Sequence, residues 1–287
     1  TGNLSLHYSN VASATSSATP LGLVAAYGFT EGAGPATADA SGNGLAGSLA
    51  DATWTQTGKY GSALSFNGTS SYVDLGNSTA LQLTGSMTWS AWIFATADPP
   101  DDGQIIAKSG GNDGWQLKTS PDTGPHTFAV AVAATTTHAA RYSTTSRALN
   151  TWYHVAGVYN ASAQTLDIYV NGVLDNGVLS GTVPASQLNS TQNVNIGRRP
   201  GGYYFQGTID EVRIYNRTLT QDEIQIDMTT PICPQGPDTT SPSDVTGVTG
   251  PTVSAPHTPP SAPPATHHVP PPRPPPSRSR PPRSPPP

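Results

Sequence analysis

Apolar residues between residues 21 and 230 recur in short runs separated by clusters of Gly, Asn, Ser and Asp. Runs of this length that are rich in β-branched and aromatic residues predict β-strands. Eleven strands are predicted, at residues 23–29, 63–66, 72–75, 87–95, 104–108, 115–118, 127–133, 151–159, 165–170, 193–197 and 206–215. Two of them, 87–95 and 151–159, are apolar at successive positions, which is typical of strands covered on both faces. The pattern therefore predicts an all-β fold of two packed antiparallel sheets.

Two local signals add detail to this prediction. Asn171-Gly172, between two apolar runs, predicts a hairpin with a type I′ turn, because both residues tolerate the positive φ that this turn requires. Thr220 and Glu223 form the pattern of a capping box ahead of an apolar run. We therefore expect one helix, at residues 220–227.

The two ends of the chain differ from its middle. In residues 1–20, Leu4, Leu6 and Tyr8 alternate with other residues, which predicts a strand-like arm, and the following Ser/Ala/Thr stretch is typical of a flexible tether. Residues 231–287 contain 21 prolines and no aromatic residue, so polyproline II is expected there rather than a core. The predicted organisation is an arm (1–20), a body (21–230) and a proline-rich tail (231–287).

Composition and charge exclude several classes of protein. The 287 residues include 13 Lys and Arg against 18 Asp and Glu, a net charge of −5. Charged residues make up 11%, against roughly 25% in typical soluble proteins, which disfavours a helical bundle with solvated faces. The scarcity of Lys and Arg also disfavours nucleic-acid binding. The longest apolar stretch, 128–134, is far shorter than the ~20 residues of a membrane-spanning helix.

The N-terminus and the single cysteine bear on the compartment. No charged-then-apolar leader precedes Thr1, as expected if a signal peptide has been removed or the chain has been trimmed. Cys233 is the one cysteine, so the sequence excludes a disulfide within the chain and zinc-ribbon or thioredoxin-type motifs. An odd cysteine in a secreted chain suggests intermolecular pairing or a free thiol.

Seven sequence blocks occur in a recognisable order. They are LVAAYGFTEG (23–32), DASGNG (39–44), KYGSALSFNG (59–68), MTWSAWI (87–93), NTWYHVAG (150–157), YVNGV (169–173) and GTIDEVRIYNRTL (207–219). Over about residues 21–230 the chain thereby resembles laminin-G-like, concanavalin A-type jelly-roll domains. The proline-rich tail resembles segments of hydroxyproline-rich glycoproteins. The resemblance implies a jelly-roll sandwich but leaves function open, because such domains serve as sugar-binding modules, adhesion units and structural spacers.

The resemblance also implies a structural calcium ion. In the family the ion is held near the loop that corresponds to residues 39–44, here with Asp39 and Asn43, and Asp210 in the last strand is similar to the residue that reaches back to it. Such a loop presents the carboxylate, amide and carbonyl oxygens that Ca²⁺ prefers. The alternative is a plain Asx-turn at Asp39, with Asp210 paired to Arg213 or another cation.

Nothing in the sequence favours an enzyme. Related glucanases carry E-x-D-x-x-E on one strand, but the three Glu residues here are scattered along the chain. Glycoside hydrolysis needs two suitably spaced carboxyl groups, and the loop carboxylates of Asp98, Asp101 and Asp102 are expected to face water. His154 is expected to be a packed, hydrogen-bonded residue rather than a base.

Sugar recognition has more support. Arg198, Arg199, Tyr203 and Tyr204 place two cations and two aromatic rings on one Gly/Pro-rich loop, and Trp115 is predicted to join them across the sheet. The alternative is that Tyr204 and its neighbour Phe205 only close the edge of the core.

Sugars could also be attached covalently. The N-glycosylation pattern N-x-[ST] occurs at six positions, Asn3, Asn67, Asn77, Asn160, Asn189 and Asn216.

Two functions follow from these features, and both place the protein outside the cell or on its surface. The first is a non-enzymatic structural protein whose arm (Leu4, Leu6, Tyr8) docks on the sheet edge of the next copy, which would generate a glycosylated filament. The second is a carbohydrate-binding or adhesion module in which the arm and tail are linkers.

Overall fold

The structure, a computed structural model, describes residues 19–232 except Pro125 and Thr136. In this part of the chain it consists of two antiparallel sheets packed face to face, with one short α-helix and one turn of 3-10 helix at Thr79–Leu81. The strands are β1 Leu23–Tyr27, β2 Ala36–Thr37, β3 Gly47–Ala50, β4 Thr53–Thr55, β5 Ala63–Asn67, β6 Tyr72–Asp74, β7 Met87–Ala95, β8 Gly103–Lys108, β9 Gly114–Ser120, β10 Thr127–Ala133, β11 His138–Ser146, β12 Trp152–Asn160, β13 Thr165–Val170, β14 Val173–Leu174, β15 Asn176–Gly181, β16 Asn195–Ile196 and β17 Gln206–Tyr215. The helix α1 spans Gln221–Thr229. The predicted all-β sandwich is confirmed.

Each sheet joins strands that are distant in sequence. Sheet A has the order β14-β13-β12-β7-β17-β5-β4, and β1 also pairs with β17. Sheet B has the order β15-β11-β10-β9-β8-β16-β6-β3-β2. The last strand, β17, therefore lies in the middle of sheet A, where a bulge between Asp210 and Arg213 lets it pair with β1, β5 and β7.

The inner faces of the two sheets form one large apolar core. Trp89 of sheet A meets Trp115 of sheet B with ring centroids 5.7 Å apart. Strand β7 is buried along nearly its whole length, as its double-sided apolar pattern predicts. Its outer face lies beneath α1 and the segment before it: Thr88 accepts a hydrogen bond from the amide of Leu219, and Trp92 donates one to the carbonyl of Met228.

Both predicted local motifs are present. Asn171 and Gly172 have φ of 50° and 75° and link β13 to β14. The helix begins after Thr220, whose side chain accepts a hydrogen bond from the Glu223 amide while the Glu223 carboxylate accepts one from the Thr220 amide at 2.8 Å. The capping box thus holds the predicted helix start.

All eleven predicted strands coincide with strands of the structure, with shifted ends. For example, β1 stops at Tyr27 because Phe29 adopts a left-handed conformation, φ 47°. Strand β14 is the second strand of the predicted Asn171-Gly172 hairpin, and five further strands were not predicted, namely β2, β3, β4, β11 and β15. They are short, or rich in Ala, Ser, Thr and Gly, and therefore lack the aromatic and β-branched runs on which the prediction depended.

The predicted arm and nearly all of the tail, with Cys233, fall outside the described residues. Within 19–232 apart from the two gaps, no helix has the length and hydrophobicity needed to cross a bilayer.

Candidate functional site

A row of polar side chains lies on the outer face of sheet B. In β9, Trp115 and Leu117 enter the core, so Gln116 and Lys118 between them point away from it. Asn195 likewise lies between two core residues, Val194 and Ile196, and therefore also points outward. Gln104, near the start of β8, completes the row. These outward side chains are nevertheless shielded from solvent, with Gln104 fully buried and Gln116 only 4% exposed. Along this row, the outer face of sheet B is therefore covered by other parts of the chain.

The two glutamines form the centre of this row. Gln104 Nε2 donates to Gln116 Oε1 at 2.8 Å, and Gln116 Nε2 donates to Ser109 Oγ at 3.1 Å. The second polar atom of Gln104, Oε1, is buried and accepts no hydrogen bond within the described chain. A buried acceptor without a donor costs free energy unless a donor arrives from outside. The row thus contains a buried acceptor that the described chain leaves unused.

The loop after β16 covers one end of the row and contains the predicted cations. Arg198 Nε donates to Asn195 Oδ1 at 3.1 Å, and its guanidinium lies 3.3 Å from the ring centre of Tyr72. Arg199 stacks on Tyr203 at 3.6 Å. Each arginine is therefore held against a tyrosine ring, in a cation–π contact.

Backbone contacts join this loop to the sheet and to the loop of residues 109–113. The Gln104 amide donates to the carbonyl of Tyr203 at 3.0 Å. Arg199 Nη1 contacts the carbonyl of Gly110 at 3.4 Å. We call the set formed by these residues the outer-face site: Gln104, Gln116, Asn195, Arg198, Arg199, Tyr203 and Tyr204.

The structure brings together four of the five predicted sugar-binding residues. The backbone of Tyr204 forms an isolated β-bridge with that of Gln104, and the Tyr204 hydroxyl lies 3.5 Å from Arg198 Nη1. The fifth, Trp115, does not belong to this surface: it is 1% exposed and packs against Trp89 in the core. Because β9 places Trp115 on its inner face, the prediction that it joins the loop is wrong.

A charged cluster continues the row toward β11. Lys118 Nζ bonds Asp102 Oδ2 at 2.6 Å, and Asp122 Oδ2 accepts from the hydroxyl of Tyr142 at 2.7 Å. That hydrogen bond and the partial burial of the ring raise the pKa of Tyr142. Asp102, expected to face water, is instead buried, because Lys118 of the neighbouring strand pairs with it. Asp101 and Asp122 are exposed, and the side chain of Asp98 is about half exposed.

The predicted calcium ligands form hydrogen bonds within the protein. Asp39 accepts hydrogen bonds from the amides of Ala26, Ser41 and Leu45 and from the Ser41 hydroxyl, which makes it an Asx-turn. Asn43 uses its amide nitrogen as a donor to the carbonyl of Val24.

Asp210, the third predicted ligand, contacts a different loop. It accepts from the amides of Lys59 and Tyr60, at 2.8 and 3.0 Å, and from the amide of Glu211. The carboxylate oxygens of Asp39 and Asp210 thus already accept hydrogen bonds from groups of the protein, and a calcium ion that they share with Asn43 stays a prediction.

The opposite face of the sandwich, outside sheet A, buries titratable groups. Glu211 is fully buried and lies 3.2 Å from Arg213, and its Oε2 accepts from the amide of Ile232 at 2.7 Å. Burial raises the pKa of Glu211 to about 7, although Arg213 opposes the shift. Burial likewise raises the pKa of Asp210 to about 6.

His154 lies in the same region. It is buried as predicted, but neither ring nitrogen has a hydrogen-bond partner in the described chain, so the expectation of a hydrogen-bonded ring is wrong. Burial and the nearby Arg213 lower the pKa of His154 to about 3.

The predicted glycosylation positions lie at different depths. Asn67, Asn189 and Asn216 are exposed, whereas Asn77 and Asn160 are half-buried. Asn3 lies outside the described residues. The exposed set is the one accessible to a modifying enzyme in the folded body.

The sequence analysis missed Gln104, Gln116 and Asn195. The signal was present in β9, where Trp115-Gln116-Leu117-Lys118 alternates apolar and polar residues, so that a polar outer face could have been inferred there.

Comparison with solved structures gives neighbours of the same fold. Domain 4 of AbnA, a GH43 extracellular arabinanase from Geobacillus stearothermophilus solved in complex with arabinotriose, matches with a TM-score of 0.54 and 20% identity, over 72% of this chain and 98% of that one. The binding domain of Paraclostridial Mosquitocidal Protein 1 matches with a TM-score of 0.56 and 15% identity, over 72% of this chain and 52% of that one. The botulinum neurotoxin serotype G binding domain has a TM-score of 0.56 and 14% identity, over 72% and 50%. The chain thus spans about half the length of the two toxin domains, and at these identities the likeness establishes the fold.

Comparison by sequence assigns the family. No curated protein sequence matches the chain. The family model Laminin_G_3, described as the concanavalin A-like lectin/glucanases superfamily, matches residues 67–225, more than half of the 287 residues. Together with the two-sheet sandwich, this match shows that the chain belongs to the concanavalin A-like lectin/glucanase superfamily.

Proposed function

We propose that the protein is a carbohydrate-binding module of an extracellular or cell-surface protein, without enzymatic activity, and that it binds glycan at the outer-face site. The observation that carries this proposal is Gln104 Oε1, a buried acceptor without a donor in the polar row on the outer face of sheet B. Sugar hydroxyl groups are donors of the required kind. The half-buried ring of Tyr203 at the rim adds an apolar surface of the type that covers a sugar ring.

Two further points support a binding role. The outer-face site is built on strands β8, β9 and β16, which hold its polar groups in fixed positions before a ligand arrives. The neighbour from AbnA was solved with arabinotriose, so that a glycan is a reasonable first ligand to test.

Replacing Tyr203 by Ala or Gln104 by Leu should each weaken glycan binding at least tenfold. The first change removes the ring and the second removes the orphan acceptor, and tenfold corresponds to about 1.4 kcal/mol. Affinity electrophoresis of the full chain against a panel of soluble polysaccharides that includes arabinan measures the effect.

The matched control is Ile226→Ala, which removes a 62%-exposed side chain from α1 on the opposite face and should leave binding unchanged. Melting curves identify variants that fail to fold. If the unchanged protein binds no polysaccharide, or if both site variants bind as well as it does, the proposed function is wrong.

A second candidate function, self-assembly into a surface filament, is favoured by the edge of sheet B. Strand β15 is the edge strand, pairs only with β11 among the described strands, and contains no charged residue or proline. Val178 and Leu179 on it are 57% and 38% exposed, as are Val173 and Leu174 on the adjacent β14 at 57% and 48%. Such an unprotected edge accepts an added strand. The segment with Leu4, Leu6 and Tyr8 of another copy is the occupant that the sequence predicts.

Under this second proposal, Val178→Lys should abolish assembly, because a charge on the edge opposes strand addition. Sedimentation and electron microscopy of the full chain at high concentration would measure the loss. Deleting residues 1–18 should have the same effect. Fibres that persist in both variants would contradict the proposal, as would a monomer at every concentration of the unchanged protein.

A further inference from the structure

We propose that the glycan bound at the outer-face site is acidic, with a carboxylate or sulfate group that is held by Arg198 and Arg199. This inference rests on the proposed glycan binding and specifies its ligand class. The evidence for it is that both guanidinium groups lack an acidic partner and retain unused hydrogen-bond donors.

Neither arginine has an acidic partner. Arg147, Arg213 and Arg217 each form an ion pair with a carboxylate of the body. By contrast, no described carboxylate lies within salt-bridge distance of Arg198 or Arg199, although residues 19–232 contain 16 acidic and 9 basic side chains, a net charge of −7. Two adjacent unneutralised cations on an acidic body are an unusual arrangement, and both lie at the same site.

Both groups retain unused hydrogen-bond donors. Arg199 Nε is buried and has no acceptor within the described chain, and the one hydrogen bond of this side chain is the long contact to Gly110. Arg198 bonds Asn195 and Tyr204 through Nε and Nη1, so its Nη2 makes no hydrogen bond to the described protein. Both side chains are partly exposed, so an anion can reach the guanidinium groups, and it is the partner that satisfies their unused donors best.

The tyrosines prepare the guanidinium groups for such a partner. Stacking on Tyr72 and Tyr203 fixes the plane of each group, with centroid distances of 3.3 and 3.6 Å. A planar, fixed guanidinium presents paired N–H donors that match the oxygens of a carboxylate or sulfate. Less side-chain entropy is lost on binding when the group is already held in place.

The net charge of the body does not prevent this recognition. At physiological ionic strength, exposed charges farther apart than a Debye length of about 8 Å are largely screened. Contact with the two arginines therefore decides the preference, and long-range steering contributes little.

The test compares acidic glycans with neutral counterparts of the same backbone. The full chain is titrated with polygalacturonate and its methyl ester, and with a sulfated galactan and its desulfated form. We expect at least tenfold tighter binding to an acidic member of a pair. Arg198→Gln and Arg199→Gln should each remove most of that preference, and Arg198→Lys should restore only part of it because an ammonium lacks the paired donors.

Arg141→Gln is the matched control. Arg141 also lacks an acidic partner and its loss changes the net charge equally, but it bonds the carbonyls of Leu166 and Gly177 away from the site. The Arg141→Gln variant should prefer acidic over neutral glycans as strongly as the unchanged protein does. If Arg199→Gln melts early because its loop contact is lost, Arg198→Gln alone decides.

The outcomes separate the two proposals. A preference for only the uronate or only the sulfated glycan supports the inference and identifies the acidic group. Equal binding to acidic and neutral members overturns the inference but leaves glycan binding intact. An equal loss in Arg141→Gln also overturns it, because net charge would then be the cause. No binding to any glycan overturns both proposals.

Discussion

The free energy of unfolding should decrease as the pH rises from about 4.5 to about 7, which is the reverse of ordinary acid denaturation in this range. The cause is Glu211, whose pKa burial raises to about 7 from an ordinary value of 4.5. Asp210 beside it contributes in the same direction, since burial raises its pKa to about 6.

The sign follows from proton linkage. The folded state keeps the Glu211 proton at pH values where the unfolded chain has released it, so the folded state binds more protons within this window and loses stability as the pH rises. A shift from 4.5 to about 7 corresponds to about 3 kcal/mol at 1.36 kcal/mol per pH unit. Urea unfolding at half-unit pH steps measures the slope.

The groups around Glu211 explain why the effect is concentrated there. Arg213 at 3.2 Å and the Ile232 amide at 2.7 Å favour the charged form, while neighbouring Asp210 and complete burial favour the neutral one. His154 acts in the opposite direction below pH 6.5, because burial and Arg213 keep its pKa near 3 in the folded state while the unfolded imidazole titrates near its ordinary value of 6.5. It therefore reduces the slope that Glu211 and Asp210 produce.

Glu211→Gln should remove most of the slope, whatever it does to absolute stability, since it leaves Arg213 without this partner. The matched control is Glu223→Gln. Hydrogen bonds from Arg217 and Thr220 lower the pKa of Glu223 to about 2, so its contribution is lost only below the window and the slope should persist. Stability that is flat or increases from pH 4.5 to 7 in the unchanged protein would contradict this account.

Gly114→Ala should lower the free energy of unfolding by more than about 3 kcal/mol, or prevent folding. Gly114 begins β9 with φ +62°, and a Cβ there would overlap the carbonyl oxygen of Lys108 across the β8–β9 pair. The backbone of β8 would have to move, which would disturb the sheet that holds Gln104 and Gln116. For a body of this size, such a loss lowers the melting temperature by roughly 6–12 °C.

Gly61→Ala separates the overlap from the backbone conformation. Gly61 has a similar positive φ of 81°, but a Cβ there meets no atom within 4 Å. Only the left-handed conformation is then penalised, at about 1 kcal/mol. Similar melting temperatures for the two variants would show that the overlap at Gly114 is relieved without cost.

The fold was predictable because most of its strands can be recognised from their own local composition. Met87–Ala95 and Gln206–Tyr215 have the dense aromatic and β-branched composition of central strands, and the capping residues Thr220 and Glu223 mark the helix start. By contrast, β11 and β15 are held by pairing to β10 and β11 rather than by the composition of their own residues, and a local pattern does not show such pairing.

The site was predictable only in part for the same reason. Arg198, Arg199, Tyr203 and Tyr204 are contiguous and attract attention as a cluster. Gln104 and Gln116 lie on different strands, and ordinary glutamines become a feature only when the sheet joins them. Trp115 was predicted at the binding surface but lies in the core. The glycine-rich loop before it does not indicate which face of the strand an aromatic residue will occupy.

The contact between the first and last parts of the described body has a consequence for how it can be built into larger chains. Strand β1 pairs with β17, with Leu23 opposite Tyr215, and Ile232 packs against Gly28 just beyond the other end of β1. Entry and exit of the backbone are therefore separated by about one short strand, roughly 17 Å. A domain with neighbouring entry and exit points tolerates insertion into a surface turn of a host protein, as well as circular permutation.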